Sequence, residues 1–359
     1  MKIVVLPGDD IGPEITDAAL LVLTEADKRF DLGLKFEQHE VGMAAHRKSG
    51  TTLPNGVLEA TFDADAVLLG PGGMTAYPPA SEGGINIPGT IRKSLDLYAN
   101  LRPARSRPGL ERARPGLDCL IARENTEGFY ADRNMFSGNG EFMPTPDLAL
   151  AVRKITRQAS RRISEKAFEL AMGRRKHVTI VGKRHVLQVS DGLFVEEAKA
   201  VARKYPDVAI REVDIDAMVA EIYTNPDRFD VIVITNMFGD ILSNLAVALS
   251  GGLGLAASLN VGDRRAAANA GHGSAPDIAG KGIANPSGFI LSAAMLLNWW
   301  GTRDGGDEKF TLAAKSIERS LDAVLMSGQR TGDLGGLLDT KAYAKAIADN
   351  LKEPELSAI

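Results

Sequence analysis

Acidic side chains at two predicted helix starts are the first candidates for chemistry in this sequence. Asp240 and Asn244 lie four residues apart on a predicted helix, so both project from one face. Asp214 and Asp216 follow a predicted strand at 208–213 and begin another helix. Oxygen ligands from two helix starts suit Mg²⁺ or Mn²⁺. An Asp at a helix start is more often a cap, and spacing alone favours capping.

Three arginines form a second candidate group. Arg92 lies in a predicted helix at 90–98, Arg102 precedes Pro103 and is therefore extended, and Arg123 follows a predicted strand at 119–122. Three guanidinium groups at the ends of elements could bind a polycarboxylate through paired hydrogen bonds. For any one of them alone, an ordinary solvated arginine is the favoured interpretation.

Lys183 and Tyr130 are candidates for proton transfer. Lys183 ends a predicted buried strand, where desolvation would favour the neutral amine that a general base needs. Tyr130 follows the segment 123–129. A surface lysine and a packed aromatic are the alternatives, and the sequence alone does not pair the two residues.

A loop near the C-terminal end carries the last candidate group. Residues 272–280 and the pair Asn285-Pro286 are rich in Gly, Ser and Pro, which exposes backbone N–H groups that could hold a phosphate or a ribose. Asp277 could accept hydrogen bonds from ribose hydroxyls and would repel a 2′-phosphate, which favours NAD over NADP. A tight structural loop is the alternative.

Alternating strands and helices must position these residues. Short β-branched runs predict buried strands, and longer segments with helical spacing lie between them. This alternation predicts the α/β class with a largely parallel sheet. The predicted strands are 3–6, 66–69, 119–122, 178–181 and 231–235, and the predicted helices are 14–26, 148–171, 194–204, 241–249 and 289–300.

Irregular segments suggest how the chain is divided. Residues 100–103 and 251–254 look like crossings between two lobes. Residues 128–146 have little helical periodicity, and an arm or hairpin and a long surface loop are equal alternatives. Residues 252–257 match the pattern G-x-G-x-x-A, but a helix precedes them, so a dinucleotide fingerprint is not expected.

Composition excludes several classes of protein. The 359 residues carry a formal net charge of −4, and 44% of them are hydrophobic, which is typical of a globular chain and argues against disorder. Cys119 is the only cysteine, so a disulfide scaffold is excluded. The slightly acidic balance argues against a nucleic-acid binder, and no stretch has the length of a membrane span. The first residues predict a strand rather than a signal peptide, so a cytoplasmic location is expected.

Several longer motifs in order give the sequence a family resemblance. Together they resemble the metal-dependent β-decarboxylating dehydrogenases, which act on isopropylmalate, isocitrate, homoisocitrate and tartrate or D-malate. The matching segments run in family order across nearly the whole chain: Leu6-Pro7-Gly8-Asp9 with Ile11-Gly12-Pro13-Glu14, 91–103, Arg123-Glu124-Asn125-Thr126-Glu127-Gly128-Phe129-Tyr130, Asn236-Met237-Phe238-Gly239-Asp240-Ile241-Leu242-Ser243 and 272–286.

The resemblance implies a particular architecture. It is an α/β fold of the isopropylmalate dehydrogenase type, with two lobes and without a Rossmann domain. Residues 1–99 and 251–359 would form a discontinuous large lobe on the cofactor side. Residues 100–250 would form a smaller lobe with the dimer interface, and the arm near 128–146 would be an intersubunit clasp. The protein would be a homodimer with shared active sites, in which Lys183 and Asp216 serve the partner's substrate.

The resemblance also implies the chemistry. NAD⁺ would take a hydride from C2 of a small polycarboxylate, a 3-substituted malate, whose β-carboxylate leaves as CO₂. A Mg²⁺ or Mn²⁺ ion would lie on Asp216, Asp240 and Asn244. Lys183 would handle the hydroxyl proton, and Tyr130 would protonate the enolate. The remaining implied contacts are Arg92, Arg102, Arg123, Asn86 and Thr90 for the substrate, and His272, Gly273, Ser274, Ala275, Asp277, Ile278 and Asn285 for NAD.

Four positions depart from the family pattern. Asn244 stands where a third metal-site Asp is usual, His185 where an Asn is usual, Asn269 where a Glu is usual, and Asp10 where a Gly is usual. Residues 86–90 match neither the isopropylmalate nor the isocitrate pattern, so the 3-substituent stays open. The alternatives are a homoisocitrate enzyme, a tartrate or D-malate enzyme, and a non-catalytic regulatory subunit.

Overall fold

A computed structural model describes residues 1–130 and 134–351, and the chain divides into two compact units. The first unit takes residues 1–95, 107–113 and those from 251 onward, and the second unit takes 96–106 and 114–250. Segment 107–113 therefore lies in the first unit, whereas the sequence placed it in the smaller lobe. The reason is the buried Arg107, which donates to Asp322 at 2.7 Å and to Glu318 at 3.1 Å.

Strands and helices alternate along both units. The strands are β1 (Lys2–Leu6), β2 (Lys35–Gln38), β3 (Ala66–Leu69), β4 (Ala99–Arg105), β5 (Asp118–Glu124), β6 (Glu141–Thr145), β7 (Leu148–Ala151), β8 (His177–Gly182), β9 (Ala209–Asp214), β10 (Val231–Ile234), β11 (Ala257–Val261) and β12 (Ala266–Ala270). The helices are α1 (Gly12–Phe30), α2 (Gly42–Ser49), α3 (Asn55–Asp63), α4 (Ile87–Ser94), α5 (Arg157–Met172), α6 (Ser190–Ala202), α7 (Ile215–Thr224), α8 (Asn236–Leu249), α9 (Ser287–Thr302), α10 (Glu308–Met326) and α11 (Thr340–Asp349).

The first unit is built on strands from both ends of the chain. Their order is β2-β1-β3-β12-β11, and only the β11–β12 pair is antiparallel. The run Ile3–Leu6 of β1 is fully buried, as expected for a parallel strand covered on both faces. Helices α1, α9, α10 and α11 pack against one another beside these strands. The predicted α/β class is confirmed.

The second unit brings the ends of four strands to one edge. Its order is β4-β5-β10-β8-β9, in which β5, β10, β8 and β9 run parallel. Their carboxyl ends therefore meet at one edge, which carries Arg123, Asn236, Lys183 and Asp214. Below this edge a core of buried apolar side chains, among them Ile232 and Leu242, holds α8 against the sheet.

The predicted strands at 3–6, 66–69, 119–122, 178–181 and 231–235 form, and so do four of the five predicted helices. The prediction of one helix at 148–171 is wrong. Residues 148–151 form β7, which pairs antiparallel with β6, and the helix begins only at Arg157. The spacing of apolar residues in Leu148-Ala149-Leu150-Ala151 fits a helix as well as a strand. Pairing with β6 makes this segment a strand. The alternative of a hairpin within the arm is confirmed for 141–151, while 131–133 lie outside the described residues.

The glycine pattern at 252–257 has the wrong context for dinucleotide binding. Helix α8 precedes it, a 3₁₀ turn at Leu253–Leu255 follows, and the chain then enters β11. The sequence-based rejection of a Rossmann fingerprint is confirmed. In the described part of the chain, every helix is too short or too polar to cross a membrane.

Glu127 at the base of the hairpin should make stability depend on pH. It is buried, accepts from the N–H of Thr156 at 2.7 Å and from its hydroxyl at 2.9 Å, and lies beside Glu124. Burial, reinforced by Glu124, raises the pKa of Glu127 from 4.5 to about 7. The folded state thus binds the proton more tightly, and the free energy of unfolding falls as pH rises through this window.

Replacement of Glu127 by Gln should remove the fall in the free energy of unfolding that Glu127 causes as pH rises. The Tm difference, variant minus wild type, should become more positive between pH 5 and pH 8, and thermal melts at both pH values measure it. The same change at exposed Glu169 is the control and should give a difference that does not vary with pH. A flat difference for Glu127→Gln would contradict the prediction.

Candidate active site

Two buried arginines and one carboxylate meet at the carboxyl edge of the second unit's sheet. Arg123, only 2% exposed, donates from Nε and Nη2 to the side-chain oxygen of Asn236, and Nε also donates to the Asn236 carbonyl at 2.8 Å. Its Nη1 contacts Asp240, and Arg102 Nη1 lies 3.2 Å from the same carboxylate. Two guanidinium groups around a single carboxylate leave this cluster net positive, which suits an anionic ligand.

The local sequence explains how closely these groups approach. Gly239 lies in the first turn of α8, and a Cβ there would stand 2.7 Å from Arg123 Cγ. Only a glycine lets the helix lie against the arginine stem. Arg102 is held by Asn100 Oδ1 at 2.7 Å and by Ser243 Oγ at 2.8 Å. Burial and the neighbouring Arg123 lower the pKa of Arg102 to about 10, so it remains charged at neutral pH.

Tyr130 joins this cluster. Its hydroxyl accepts from Arg123 Nη2 at 2.7 Å and donates to Asp240 Oδ2 at 3.3 Å. Its ring centroid lies 5.5 Å from the Arg123 guanidinium. The structure thus brings together Tyr130, Arg102, Arg123 and Asp240, which the family resemblance assigned to one reaction. A phenol between a guanidinium and a carboxylate has a donor on one side and an acceptor on the other, which suits proton transfer.

Lys183 lies on the same unit with its own acidic partners. It follows β8, its Nζ pairs with Asp216, and Asp214 Oδ2 lies 3.9 Å away. The hydrogen bond from Lys183 lowers the pKa of Asp216. His185 Nδ1 lies 2.5 Å from Asp214, so this departure from the family pattern faces the Lys183 group.

The predicted cation ligands are only partly gathered. Asp240 is partly exposed, and Asn244, one turn along α8, is exposed on the same helix. Their oxygens fit a hard cation but supply one negative charge. Among the described residues, no three His, Cys, Asp or Glu side chains are close enough to hold a metal. Asp216 pairs with Lys183, whereas Asp240 pairs with Arg123 and Arg102.

Helix α4 carries the substrate candidates of the first unit. Asn86 is its N-cap, and its Oδ1 accepts from the Gly89 N–H at 2.9 Å. This capping role was not predicted. Ile87 and Ile91 bury the inner face of the helix, and Thr90 and Arg92 are half-buried beside it. The helix ends at Ser94 rather than Tyr98, because Asp96 adopts a left-handed φ of 51°.

Contacts with distant parts of the first unit fix the candidate cofactor loop. Glu14 accepts from the N–H groups of Gly282 at 3.2 Å and Ala284 at 3.0 Å. The carbonyl of Ser274 accepts from the Ile11 N–H at 3.1 Å. Asn285 is buried, and its amide donates to Asp333 and accepts from the Ser287 N–H, both at 2.9 Å. The geometry of Asn285 is that of a loop anchor, and its contact with the cofactor stays a prediction.

Other residues of the loop keep groups available. Asp277 and Gly273 are exposed, Ile278 is half-buried, and Ala275 has a left-handed φ of 45°. His272 Nδ1 lies 2.9 Å from the Gly273 carbonyl, and its buried Nε2 has no hydrogen-bond partner among the described residues. Burial lowers the pKa of His272, which keeps the ring neutral at pH 7. An unsatisfied ring nitrogen and an exposed carboxylate fit recognition of a polar cofactor.

Two departures from the family pattern have structural explanations. Asp10 adopts a left-handed φ of 55°, the conformation for which the usual glycine is suited. Asn269 lies in β12, where its Oδ1 accepts from Asn260 Nδ2 at 2.5 Å and from Ser258 Oγ at 3.3 Å. Asn269 thus belongs to a buried polar network within the sheet.

Sequence reasoning missed the residues that hold the arginines. Asn236 binds Arg123, and Asn100 and Ser243 bind Arg102. Asn236 directly follows an apolar strand and Asn100 lies two residues before Arg102, which are positional signals that could have found both. The contacts themselves depend on strand order, which no local pattern reports.

Comparisons with known proteins agree with this arrangement. The family model for isocitrate/isopropylmalate dehydrogenase matches residues 2–350. A 3-isopropylmalate dehydrogenase of Archaeoglobus fulgidus is 42% identical over 98% of this chain and 99% of its own length. An isocitrate/homoisocitrate dehydrogenase of Thermus thermophilus is 42% identical over 98% of both chains. The crystal structure of an isocitrate dehydrogenase from Methylococcus capsulatus matches with a TM-score of 0.86 and 38% identity, covering 98% of this chain and 99% of that one.

These matches extend over nearly the whole chain, and its relatives are dehydrogenases. The resemblance inferred from the motifs is therefore confirmed: the chain belongs to the isocitrate/isopropylmalate dehydrogenase family and has the two-unit α/β fold of that family.

Proposed function

We propose that the protein catalyses the NAD-dependent and divalent-cation-dependent oxidative decarboxylation of a 3-substituted malate. One observation carries the proposal: two buried guanidinium groups, a phenol and a carboxylate, contributed by Arg102, Arg123, Tyr130 and Asp240, converge at one sheet edge. A small polycarboxylate supplies the negative charges that such an edge binds.

The chain's own residues have distinct roles in this proposal. Arg102 and Arg123 bind and orient the substrate carboxylates, because both are already held by neighbouring oxygens. Tyr130 delivers a proton to the enolate carbon after CO₂ leaves, and Lys183 of the second copy takes the proton of the substrate hydroxyl. Arg92, Asn86 and Thr90 stay predicted substrate contacts.

The loop 272–285 would hold NAD, with exposed Asp277 toward the ribose and neutral His272 beside it. Bound NAD⁺ would accept the hydride from C2. Asp240 and Asn244 would hold Mg²⁺ or Mn²⁺, which would polarise the new carbonyl. Asp216, which pairs with Lys183 in its own chain, would come from a second copy, as the family resemblance implies.

The number of charges at the cation site gives a direct prediction. Changing Asn244 to Asp adds a carboxylate on the face that carries Asp240, and ligand charge tunes cation affinity. Calorimetric titration of the protein with Mn²⁺ alone should show tighter binding. Asn298→Asp, on exposed helix surface of the first unit, is the control and should leave Mn²⁺ binding unchanged. Equal affinity in Asn244→Asp and wild type would remove Asn244 from the site.

A homodimer is part of the proposal, and the hairpin β6–β7 supports it. Its apolar side chains are exposed in the single chain: Phe142 by 48%, Met143 by 65%, Leu148 by 46% and Leu150 by 43%. Contiguous exposed apolar groups of this kind mark an interaction surface. The proposed partner is a second copy.

Charge on this hairpin should dissociate the dimer. Phe142→Asp with Leu150→Asp should shift the mass measured by light scattering from dimer to monomer, because both charges would be buried at the interface. The matched control is Phe62→Asp with Met326→Asp, two exposed apolar positions of the first unit. A hairpin variant with wild-type mass would contradict this assignment.

A substrate screen tests the reaction itself. Isopropylmalate, isocitrate, homoisocitrate, D-malate and tartrate are each offered with NAD⁺ or NADP⁺ and with Mg²⁺ or Mn²⁺. NADH formation with a 3-substituted malate supports the proposal, and a preference for tartrate or D-malate supports the smaller-pocket alternative. A preference for NADP⁺ contradicts the role of Asp277.

A non-catalytic regulatory subunit is the second candidate, favoured by Asn244 and by His185 beside Asp214. Calorimetry would then show that isocitrate or isopropylmalate binds, although no combination yields NADH. Retention of Lys183, Tyr130 and three arginines favours the enzyme.

A further inference from the structure

Arg153 lies at the base of the hairpin, between β7 and α5, and its side chain is 8% exposed. Next to it, Lys154 and Gly128 exchange backbone hydrogen bonds of 2.9 and 3.0 Å, which close the base. The Arg153 guanidinium lies 5.6 Å from the ring centroid of Phe129 and 5.2 Å from that of Phe238. It is thus in cation–π contact with two aromatic rings, one beside Tyr130 and one in α8.

The hydrogen bonds of Arg153 reach two further elements. Its Nη1 lies 2.5 Å from Asp191 Oδ1 and 3.1 Å from Ser190 Oγ, at the start of α6. Its Nη2 donates to Thr235 Oγ1 at 3.1 Å. Asp191 is fully buried, so this ion pair is shielded from water and from salt.

Each of these contacts leads to a residue of the proposed active sites: Tyr130 and Asp240 of one site, and Lys183, which serves the partner's site. Phe129 directly precedes Tyr130. Asp191 Oδ2 accepts from the Lys183 N–H at 2.6 Å, which fixes the backbone from which Lys183 extends. Thr235 is the N-cap residue of α8, the helix that carries Asp240.

We propose that Arg153 is a positioning residue for the shared active sites of the proposed dimer. One guanidinium joins the base of the hairpin and the start of α8, which carry Tyr130 and Asp240 of one site, to the turn that carries Lys183, which serves the partner's substrate. The inference rests on the proposed function, because it assigns Arg153 to the reaction of that site. Arg153 itself is not a catalytic residue, since it acts only through Tyr130, Lys183 and Asp240.

The planar guanidinium is essential to this role. It donates in two directions, to Asp191 and to Thr235, while its charge lies over the two rings, and a single lysine ammonium cannot reproduce this planar pair of donors. Arg153→Lys therefore keeps the buried charge pair with Asp191 but loses the second donor and the delocalised cation over the rings. The fold should survive because the buried Asp191 keeps a cationic partner.

The first experiment measures Arg153→Lys on the malate that the wild type oxidises fastest. We expect kcat to fall roughly 10- to 100-fold, the scale of a small misplacement of catalytic groups. KM should change little, because Arg102 and Arg123 keep their own anchors. The control is Arg161→Lys. Arg161 lies on the exposed face of α5 and donates to Glu197 at 3.0 Å, and this variant should keep wild-type kcat.

A second readout does not depend on turnover. Hydrogen exchange followed by mass spectrometry compares three peptides, which contain Phe129, Lys183 and Phe238 respectively. In Arg153→Lys, amide exchange should be faster than in wild type in all three. In Arg161→Lys these peptides should exchange as in wild type. A variant with unchanged exchange at all three would overturn the proposal.

Thr235→Val tests the network with the ion pair left intact. It removes one acceptor of Arg153 and should lower kcat a few-fold, but it should add nothing in the Arg153→Lys background, since the contact is already lost. Full additivity of the two changes, or wild-type kcat in Arg153→Lys, would refute positioning by Arg153 alone. Failure of the wild type to oxidise any compound of the panel would instead refute the proposed function, and this role with it.

Discussion

Lys183→Ala should lower kcat by about 10²- to 10⁴-fold, the range that a general acid or base supplies, while the protein stays folded. Lys183 follows the buried strand β8, but its Nζ pairs with Asp216, whose side chain is 70% exposed. Loss of such an exposed pair costs about 0–1 kcal/mol of unfolding free energy. Steady-state kinetics and a thermal melt on the same preparation measure both effects.

Lys199→Ala is the matched control for Lys183. Lys199 pairs with Glu212 at 2.5 Å in the same unit, and its side chain is 39% exposed, but it lies on α6 away from the edge that carries Arg123. It should retain wild-type kcat. Near-normal turnover in Lys183→Ala would remove Lys183 from the mechanism, and a collapse of the Tm would show that its role is structural.

Arg123→Lys should reduce both stability and activity. The variant keeps a cation near Asp240 but loses the fork that donates to Asn236 and to the Tyr130 hydroxyl. Each buried acceptor left without a donor costs about 1–3 kcal/mol. Misplacement of Tyr130 and of the bound carboxylate should lower kcat/KM by at least about 10²-fold.

Arg174→Lys is the control that separates the loss of stability from the loss of activity expected in Arg123→Lys. Arg174 donates to Asp230 at 2.7 Å and to Asp118 at 2.8 Å, near the amino ends of β5 and β10. It should lose stability and keep its kcat/KM with the best malate. If Arg123→Lys lost stability and kept activity, Arg123 would be a structural residue only.

The sequence predicts the parts of this fold in which the spacing of apolar residues fits only a strand or only a helix. The runs at 3–6 and 231–235 are apolar and β-branched, and both are buried strands. The segment at 148–151 is apolar with alternating Leu and Ala, and only its partner β6 makes it a strand. Which strand a segment pairs with depends on the tertiary structure, and the local sequence pattern does not report it.

The candidate site shows the same limit. Family motifs pointed to Arg102, Arg123, Tyr130 and Asp240, and the structure places the two arginines and Tyr130 within hydrogen-bond distance of Asp240. Arg153 gave no signal, because its partners Asp191 and Thr235 are 38 and 82 residues away in the chain. Residues that orient a site are found through strand order, whereas residues that react can be recognised by type.

The arrangement of strands in the first unit has a consequence for biosynthesis. Strand β3 pairs with β1 on one side and with β12 on the other, and β12 leaves the ribosome only after the whole second unit. Until then β3 has an open apolar edge, the kind of surface that pairs with foreign strands. The nascent chain must therefore keep that edge protected while the second unit folds, and translation speed between β3 and β12 sets how long the exposure lasts.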